Sequence, residues 1–441
     1  MIRLRCLSCA TQEEAATGHT SYRCVQCGGI LEALVTSRAW EQLDMRHVDS
    51  LWRYRSRLPV GPDVRPVSLG EGLTPLHRCE ALDDLVPGSV RVWVKDETGN
   101  PSGSFKDRLV SVGVTRACEG GAKIVTCASS GNAAAATAAY AARAGLTALV
   151  FVPEHTPLAK VRQARAYGAR VVLVPGDYSS SYRICDEVAR RFEWPNLTTT
   201  YLNPYGTAGL ATVGYELAEQ LTAAGVTTPD LVAAPVGSGP LVYGVDRGWA
   251  ETRERGLAAG RPALLAVQSS GCAPIARAFA AGEDDVEPWD TPTSVASGIN
   301  DPLRGYAEDG TATLGLVRSS GGAAVAVDDE HITWGAQQLA RRVGVLAEPT
   351  GAAALAGVVA HARAHPLPRG ANVVVLVTGH AYKEPDHMPQ TEEEPVRLPA
   401  GLAPGGDGPV GGRIDLDQQL EALGLQLDVL GTTVATESRG G

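Results

Sequence analysis

Asn100-Pro101-Ser102-Gly103-Ser104-Phe105-Lys106-Asp107-Arg108 is the stretch that organises the rest of the chain. A strand-like run ending in Val92-Trp93-Val94-Lys95-Asp96-Glu97 leads into it. Gly and Pro then break the extended chain, and an apolar helical pattern follows Lys106 (Leu109, Val110, Val112, Gly113, Ala117). A lysine in the first turn of a helix, near the helix's positive end and shielded by Phe105, gives up its proton more readily than a surface lysine. A neutral amine is what a nucleophile toward an aldehyde requires. Read alone, the stretch fits an exposed turn carrying an ordinary charge about as well. The chain has only five lysines (Lys95, Lys106, Lys123, Lys160 and Lys383), so few other amines compete for the role.

Outward from this block the pattern is α/β. Apolar runs at Ile124–Cys127, Ala148–Val152, Val171–Val174, Leu231–Ala234, Leu264–Val267 and Val373–Val377 alternate with Ala-rich helical segments at 131–144, 157–167, 180–192, 209–224 and 351–363. Continuous apolar strands separated by helices predict parallel sheet covered on both faces. Ala39 to Leu58, with Trp40, Trp52 and Tyr54, reads as a helix and linker. Residues 384–412 are rich in Pro, Gly and acids, which predicts an extended segment, and Ile414, Leu416, Leu420, Leu423 and Leu427 recur at helical spacing beyond it.

The 441 residues are enough for two or three domains with a sizeable core, and a net charge of -10 argues against nucleic acid as the main partner. No apolar run is long enough for a membrane span, and the first residues lack a signal-peptide core, so a cytoplasmic protein is expected. Cys6, Cys9, Cys24 and Cys27 form two Cys-x-x-Cys pairs with Gly28-Gly29 beside the second. Paired knuckles of this kind predict a small ribbon, residues 1–36, holding structural zinc: four thiolates leave no open coordination position. Disulfides are the competing reading, which a reducing compartment disfavours. The other five cysteines read as reduced core thiols.

Three further segments carry chemistry-bearing residues. Ser129-Ser130-Gly131-Asn132 follows a strand and opens a helix, where backbone amides cradle a carboxylate, although simple helix capping by Ser or Asn explains it more readily. Gly237-Ser238-Gly239-Pro240-Leu241 also joins a strand to a helix and lets amides approach a phosphate, or is only a turn. Thr378-Gly379-His380 closes the last core strand; His380 reads as a local hydrogen-bond partner before it reads as a proton carrier. Glu348-Pro349-Thr350-Gly351 opens a further helix, and capping of that helix explains it as well as a place in the site does.

Taken in order, Gly70-Glu71-Gly72-Leu73-Thr74-Pro75-Leu76, the Lys106 block, Ser129–Asn132, Pro235–Leu241, Glu348–Ala353 and Val377–Lys383 resemble the threonine synthases and their fold-type II pyridoxal-phosphate relatives, over about residues 6 to 384. The resemblance implies a two-lobed α/β core at 37–385, with a smaller lobe at about 108–208 inserted in the larger, a tail at 386–441, and a homodimer. It implies that Lys106 carries pyridoxal 5'-phosphate. Phe105, Asn132, Gly237, Ser238, Gly239, Leu241 and Thr378 would bind the cofactor, Asn132 at the ring hydroxyl and Thr378 at the ring nitrogen. Thr74, Ser129, Ser130 and Gly131 would bind a small amino-acid substrate, with Thr74 close to the entrance. Pro240 departs from the family's loop and removes one amide donor.

A second departure bears on substrate. Threonine synthases typically carry Arg, Glu and Lys where this chain has Gly206, Ala208 and Ala211. If those cations grip a phosphorylated substrate, each lost contact removes ~1.5–3 kcal/mol. The implied activity is therefore a lyase like threonine synthase, taking O-phosphohomoserine and water to threonine and phosphate, with an altered pocket. The alternative is a β-replacement or β-elimination enzyme such as cysteate synthase or serine/threonine dehydratase. A non-catalytic binding relative is disfavoured by the joint presence of Lys106, Asn132 and Thr378.

Overall fold

Val, Leu and Ala runs that only a sheet covered on both faces can bury form the centre of the structure. The computed structural model describes residues 2–18, 22–35, 48–156 and 160–390. The chain opens with β1 (Ile2–Cys6), β2 (Gln12–Glu14) and β3 (Leu31–Val35), an antiparallel sheet in the order β2-β1-β3. Then come β4 (Leu76–Arg78), β5 (Arg91–Asp96) and α1 (Lys106–Glu119). A second sheet follows, built from β6 (Ile124–Ala128), α2 (Asn132–Ala144), β7 (Thr147–Pro153), α3 (Arg162–Ala166), β8 (Arg170–Val174) and α4 (Tyr178–Phe192). Next are α5 (Pro204–Gly209), α6 (Ala211–Ala223), β9 (Leu231–Pro235), α7 (Pro240–Arg253), β10 (Ala263–Ser269) and α8 (Pro274–Ala281). Last are α9 (Ala307–Ser319), β11 (Ala323–Val327), α10 (Asp329–Val343), α11 (Pro349–Ala364) and β12 (Asn372–Val377).

The larger sheet runs β11-β10-β9-β12-β5-β4, parallel except for the edge strand β4, and the other runs β6-β7-β8, all parallel. Each apolar run expected as a strand from Ile124 onward is one. β11 is an addition to those runs: it is short and Ala-rich after Gly321-Gly322, and a side chain at Gly322 would strike the Leu264 carbonyl at 1.9 Å. Of the helix expected over 39–58, the described part holds a 3-10 turn at Leu51–Arg57 between extended residues Ser50 and Leu58; residues 39–47, like the terminal pattern from Ile414, lie outside the described residues. No helix among the described residues is long and apolar enough to cross a membrane.

The four cysteines are free, and their sulfur atoms lie within 4.8 Å of one another, with Cys6–Cys27 at 3.5 Å and Cys9–Cys24 at 3.6 Å. Four sulfurs each ~2.3 Å from a tetrahedral centre stand about 3.8 Å apart, so the cluster fits a metal of that geometry. The ribbon is docked on the body by polar contacts: Arg23 pairs with Glu308 (3.2 Å) and Asp309 (3.4 Å), Tyr243 donates to Glu32, and Arg116 donates to the Ala16 carbonyl at 2.8 Å.

Beneath the Lys106 block is a fully buried charge cluster. Arg108 donates to both oxygens of Glu97 (2.7 and 2.8 Å) and of Glu216 (2.5 and 2.8 Å), and to the hydroxyls of Thr212 and Thr74 (both 3.0 Å). Lys95 donates to Glu216 and to the Thr74 carbonyl, both at 2.7 Å, and to Gln220 at 2.9 Å. Two acids balance two bases, and nearly every lone pair and proton is used, the condition under which buried ions are tolerated. Burial pushes the Glu216 carboxyl up, but Arg108 and Lys95 outweigh it and hold it at about 2. Glu216→Ala would leave Glu97 alone against two buried cations and Lys95 without its carboxylate, so the variant is expected to lose about 3–5 kcal/mol of stability. A urea midpoint equal to wild type would show the cluster to be dispensable.

Candidate active site

Strands of a parallel sheet end on the same side, and the loops after them converge there. Loops following β5, β6, β9 and β12 line one cavity of about 820 Å³. Lys106 is the first residue of α1, and the turn before it is pinned to the end of β12: Phe105 N–H donates to the Thr378 carbonyl (3.0 Å) and His380 N–H to the Gly103 carbonyl (2.9 Å). Asp107 closes the same turn by accepting from the amide (2.6 Å) and hydroxyl of Ser102. The Lys106 Nζ stands 4.5 Å from the centroid of the Phe105 ring. Burial lowers its pKa to about 8, against the opposing pull of Cys127, Asp301 and Glu348. Desolvation dominates, with the shielding ring in contact.

Ser129, Ser130, Gly131 and Asn132 line the cavity where β6 gives way to α2. Capping does not account for them: Gly131 is the N-cap, no side chain caps the helix, and the Ser129 hydroxyl accepts only from Gly131 N–H (3.2 Å). The free amides at the start of α2 therefore face the cavity. Gly237, Ser238, Gly239 and Leu241 line it from the β9–α7 turn. Gly239 has φ +115°, and a Cβ there would overlap the Thr313 hydroxyl at 1.9 Å, which itself donates to the Ser238 carbonyl at 2.7 Å. Only glycine fits this loop. Pro240 occupies the first turn of α7, so one amide is indeed missing from its N-terminal set.

At the end of β12, Thr378 is 1% exposed and its hydroxyl has no protein partner. A buried hydroxyl with no protein partner on a cavity wall is free to form a hydrogen bond with a group bound there. Together with a desolvated amine and a glycine-lined anion cup, it fits pyridoxal phosphate: an aldehyde for Lys106, a phosphate for the α7 start and a ring nitrogen for Thr378. His380 accepts from Tyr382 N–H at 3.2 Å and so acts as the cap of the turn that follows.

Thr74 is not on this wall. It is 4% exposed, its hydroxyl donates to Glu97 and accepts from Arg108, and it belongs to the buried charge cluster. The loop around it is likewise an anchor: Glu71 accepts from Trp52 (2.8 Å), Tyr140 (2.9 Å) and Ser111. Gly206, Ala208 and Ala211 are also buried away from the cavity. A Cβ at Gly206 would stand 2.8 Å from the Leu109 side chain, and one at Gly209 would stand 2.6 Å from the Arg108 carbonyl, because α5 lies directly on α1. Close packing on α1 accounts for the glycine at 206, and none of the three positions is on the wall of the cavity. Its wall does carry cations, Lys160, Arg162 and Lys383, beside Lys106.

Asp301 and Glu348, which line the wall together with Glu384 and Asp386, were not assigned to the site from the sequence. Asp301 accepts from Tyr306 (2.5 Å) and Leu303 N–H (3.1 Å), with burial raising its pKa. Glu348 accepts from Asn132 Nδ2 at 2.6 Å, and its local reading as a helix cap concealed it.

The chain matches the family described as pyridoxal-phosphate dependent enzyme over residues 67–379. Threonine synthase of Methanocaldococcus jannaschii is 34% identical over 400 residues, 89% of this chain and 96% of that one. Threonine synthase of Methanosarcina acetivorans is 33% identical over 407 residues, 91% and 97% of the two chains. Among solved structures, a threonine deaminase from T.th. aligns with a TM-score of 0.57 at 28% identity, covering 69% of this chain and 92% of that one. The desolvated lysine and the sheet that carries it thus agree with the likeness across the whole core, and the chain belongs to the pyridoxal-phosphate-dependent enzyme family as a threonine synthase-like, fold-type II member.

Proposed function

We propose that the protein is a pyridoxal-phosphate-dependent amino-acid lyase that converts O-phosphohomoserine and water to threonine and phosphate. The observation that carries this reading is the meeting of the Lys106 amine, the open Thr378 hydroxyl and the Gly237–Gly239 turn in one cavity. Its specific direction comes from the likeness to threonine synthases over 89% of the chain.

In this reading Ser238 and the amides at the start of α7, Leu241 among them, hold the cofactor phosphate. Thr378 meets the ring nitrogen, Asn132 the ring hydroxyl, and Phe105 shields the attachment lysine. Ser129, Ser130 and Gly131 grip the substrate carboxylate with the free amides of α2. Bound pyridoxal phosphate supplies an electron sink for charge developing at Cα. Lys106 moves the proton at Cα and, for a γ-leaving group, at Cβ, a task suited to an amine with a pKa near the working pH. Lys160, Arg162 and Lys383 are the wall cations available to a phosphorylated side chain.

A second reading keeps the cofactor and changes the reaction to β-replacement or β-elimination, as in cysteate synthase or serine/threonine dehydratase. The likeness to threonine deaminase favours it. The uncharged positions 206, 208 and 211 lend it no support, because they lie off the cavity wall. For the ribbon we infer a structural zinc held by Cys6, Cys9, Cys24 and Cys27, supported by the tetrahedral spacing of their sulfurs.

Borohydride reduction of the cofactor-loaded protein followed by peptide mapping is expected to label Lys106; label on another lysine would overturn the assignment. The rate of cofactor loading should follow the neutral amine. With a pKa of about 8, the neutral fraction rises about fivefold from pH 7 to 8 and levels off above it, whereas an ordinary lysine keeps gaining past pH 9. Phosphate and threonine released from O-phosphohomoserine separate the first reading from the second, which predicts pyruvate or 2-oxobutyrate from unphosphorylated substrates. Atomic absorption should find one zinc per chain, lost in Cys24→Ser/Cys27→Ser together with several degrees of thermal midpoint; a metal-free wild type of equal stability would refute the zinc site.

A further inference from the structure

Glu348 stands at the N-cap position just before α11, but its side chain does not cap the helix. Its side chain turns instead into the cavity wall, where it is 2% exposed, and accepts the 2.6 Å hydrogen bond from Asn132 Nδ2. The two residues sit on different sheets' loops: Asn132 opens α2 after β6, and Glu348 precedes α11 beside β12. The structure makes room for this carboxyl. Glu348 N–H donates to the Gly379 carbonyl at 3.0 Å, and a Cβ at Gly379 would stand 2.3 Å from Glu348 Oε1, so position 379 must be glycine for the carboxyl to lie there. Gly379 directly follows Thr378, the open hydroxyl. The Glu348 carboxyl is thus wedged between the Thr378 turn and Asn132, the two places where the cofactor ring is to be held. Lys106, Lys383 and Glu384 are the charged groups around it, and burial followed by Glu384 pushes its own pKa up to about 7.

We propose that Glu348 is the positioning residue for Asn132: its carboxyl oxygen fixes the Asn132 amide, across the cavity, in the orientation that meets the cofactor ring. This rests on the pyridoxal-phosphate reading above. A side-chain amide rotates freely about its last bond, and a single strong acceptor on one side decides which atoms it presents on the other. The requirement is for an acceptor at that place, and a negative charge is not needed.

The test uses full-length Glu348→Gln, Glu348→Asp and Glu348→Ala, with Asn132→Ala and the Glu348→Ala/Asn132→Ala pair. The readouts are the visible absorbance band of the loaded protein, the pyridoxal phosphate dissociation constant and the thermal midpoint before loading. Gln keeps the length and an accepting oxygen, so wild-type band position and affinity are expected within about twofold. Asp keeps the charge but withdraws it by one methylene, and with Ala it should weaken cofactor binding about tenfold and shift the band. The double variant should be no weaker than Asn132→Ala alone. Gln behaving like Ala while Asp behaves like wild type would overturn the proposal in favour of a charge role, and additive losses in the double variant would show that Glu348 does not act through Asn132. Gln and Asp keep the test decisive should Ala not fold. A wild type that takes up no pyridoxal phosphate and shows no band would instead overturn the cofactor reading itself.

Discussion

The guanidinium of Arg108 is the constraint on which the rest of this structure depends. Wholly buried, it must spend its donors inside the protein, and its partners come from three separate segments: Thr74, Glu97, and Thr212 with Glu216 on α6. Each contact fixes one segment against the first turn of α1. Glu216 brings α6, Glu97 brings the end of β5, and Thr74 brings the loop leading into β4. Lys95 completes the balance of charge. An unpaired ion in this position would cost several kcal/mol, so the segments hold together or fail together. Lys106 lies two residues away on the same turn, and it inherits a fixed position from this anchoring without touching it.

Above that anchor, the cavity is a consequence of strand direction. β5, β6, β9 and β12 are parallel within their sheets, and their C-terminal loops supply an amine, two sets of helix-start amides and an open hydroxyl. Small residues make this convergence possible. Gly239 admits Thr313, Gly379 admits the Glu348 carboxyl, and Gly206 and Gly209 let α5 lie against α1. Positions 206, 208 and 211 lie off the wall, and the charged groups on it come from elsewhere, Lys160, Arg162, Lys383, Asp301 and Glu348 among them. The low pKa of Lys106 follows from its place in that wall, where burial outweighs the acids around it.

Local pattern was enough for much of this. Apolar runs such as Val373–Val377 are bound to be buried strands because no exposed arrangement tolerates them, and the Asn100–Arg108 block declared a turn, a lysine and a helix start from residue types alone. The two Cys-x-x-Cys pairs likewise specified a four-thiol cluster, since each knuckle is local. Where the reading failed, the deciding contact was remote in sequence. Thr74 went to Arg108, 34 residues on, instead of to the cavity, and Glu348 met Asn132 across 216 residues. On local grounds capping was the readier account of the Ser129–Asn132 turn and as good an account as any of Glu348, and in the fold no side chain of either segment caps its helix.

The sequence by itself determined the alternation of strand and helix, the lysine and its turn, the glycine-rich loops and the four thiols, because each depends on neighbours within a few residues. Tertiary structure alone decided which of those loops share a cavity, that Thr74 serves the buried ions, and that Glu348 faces Asn132. Those facts depend on distances between strands that are far apart along the chain, and no local preference encodes them.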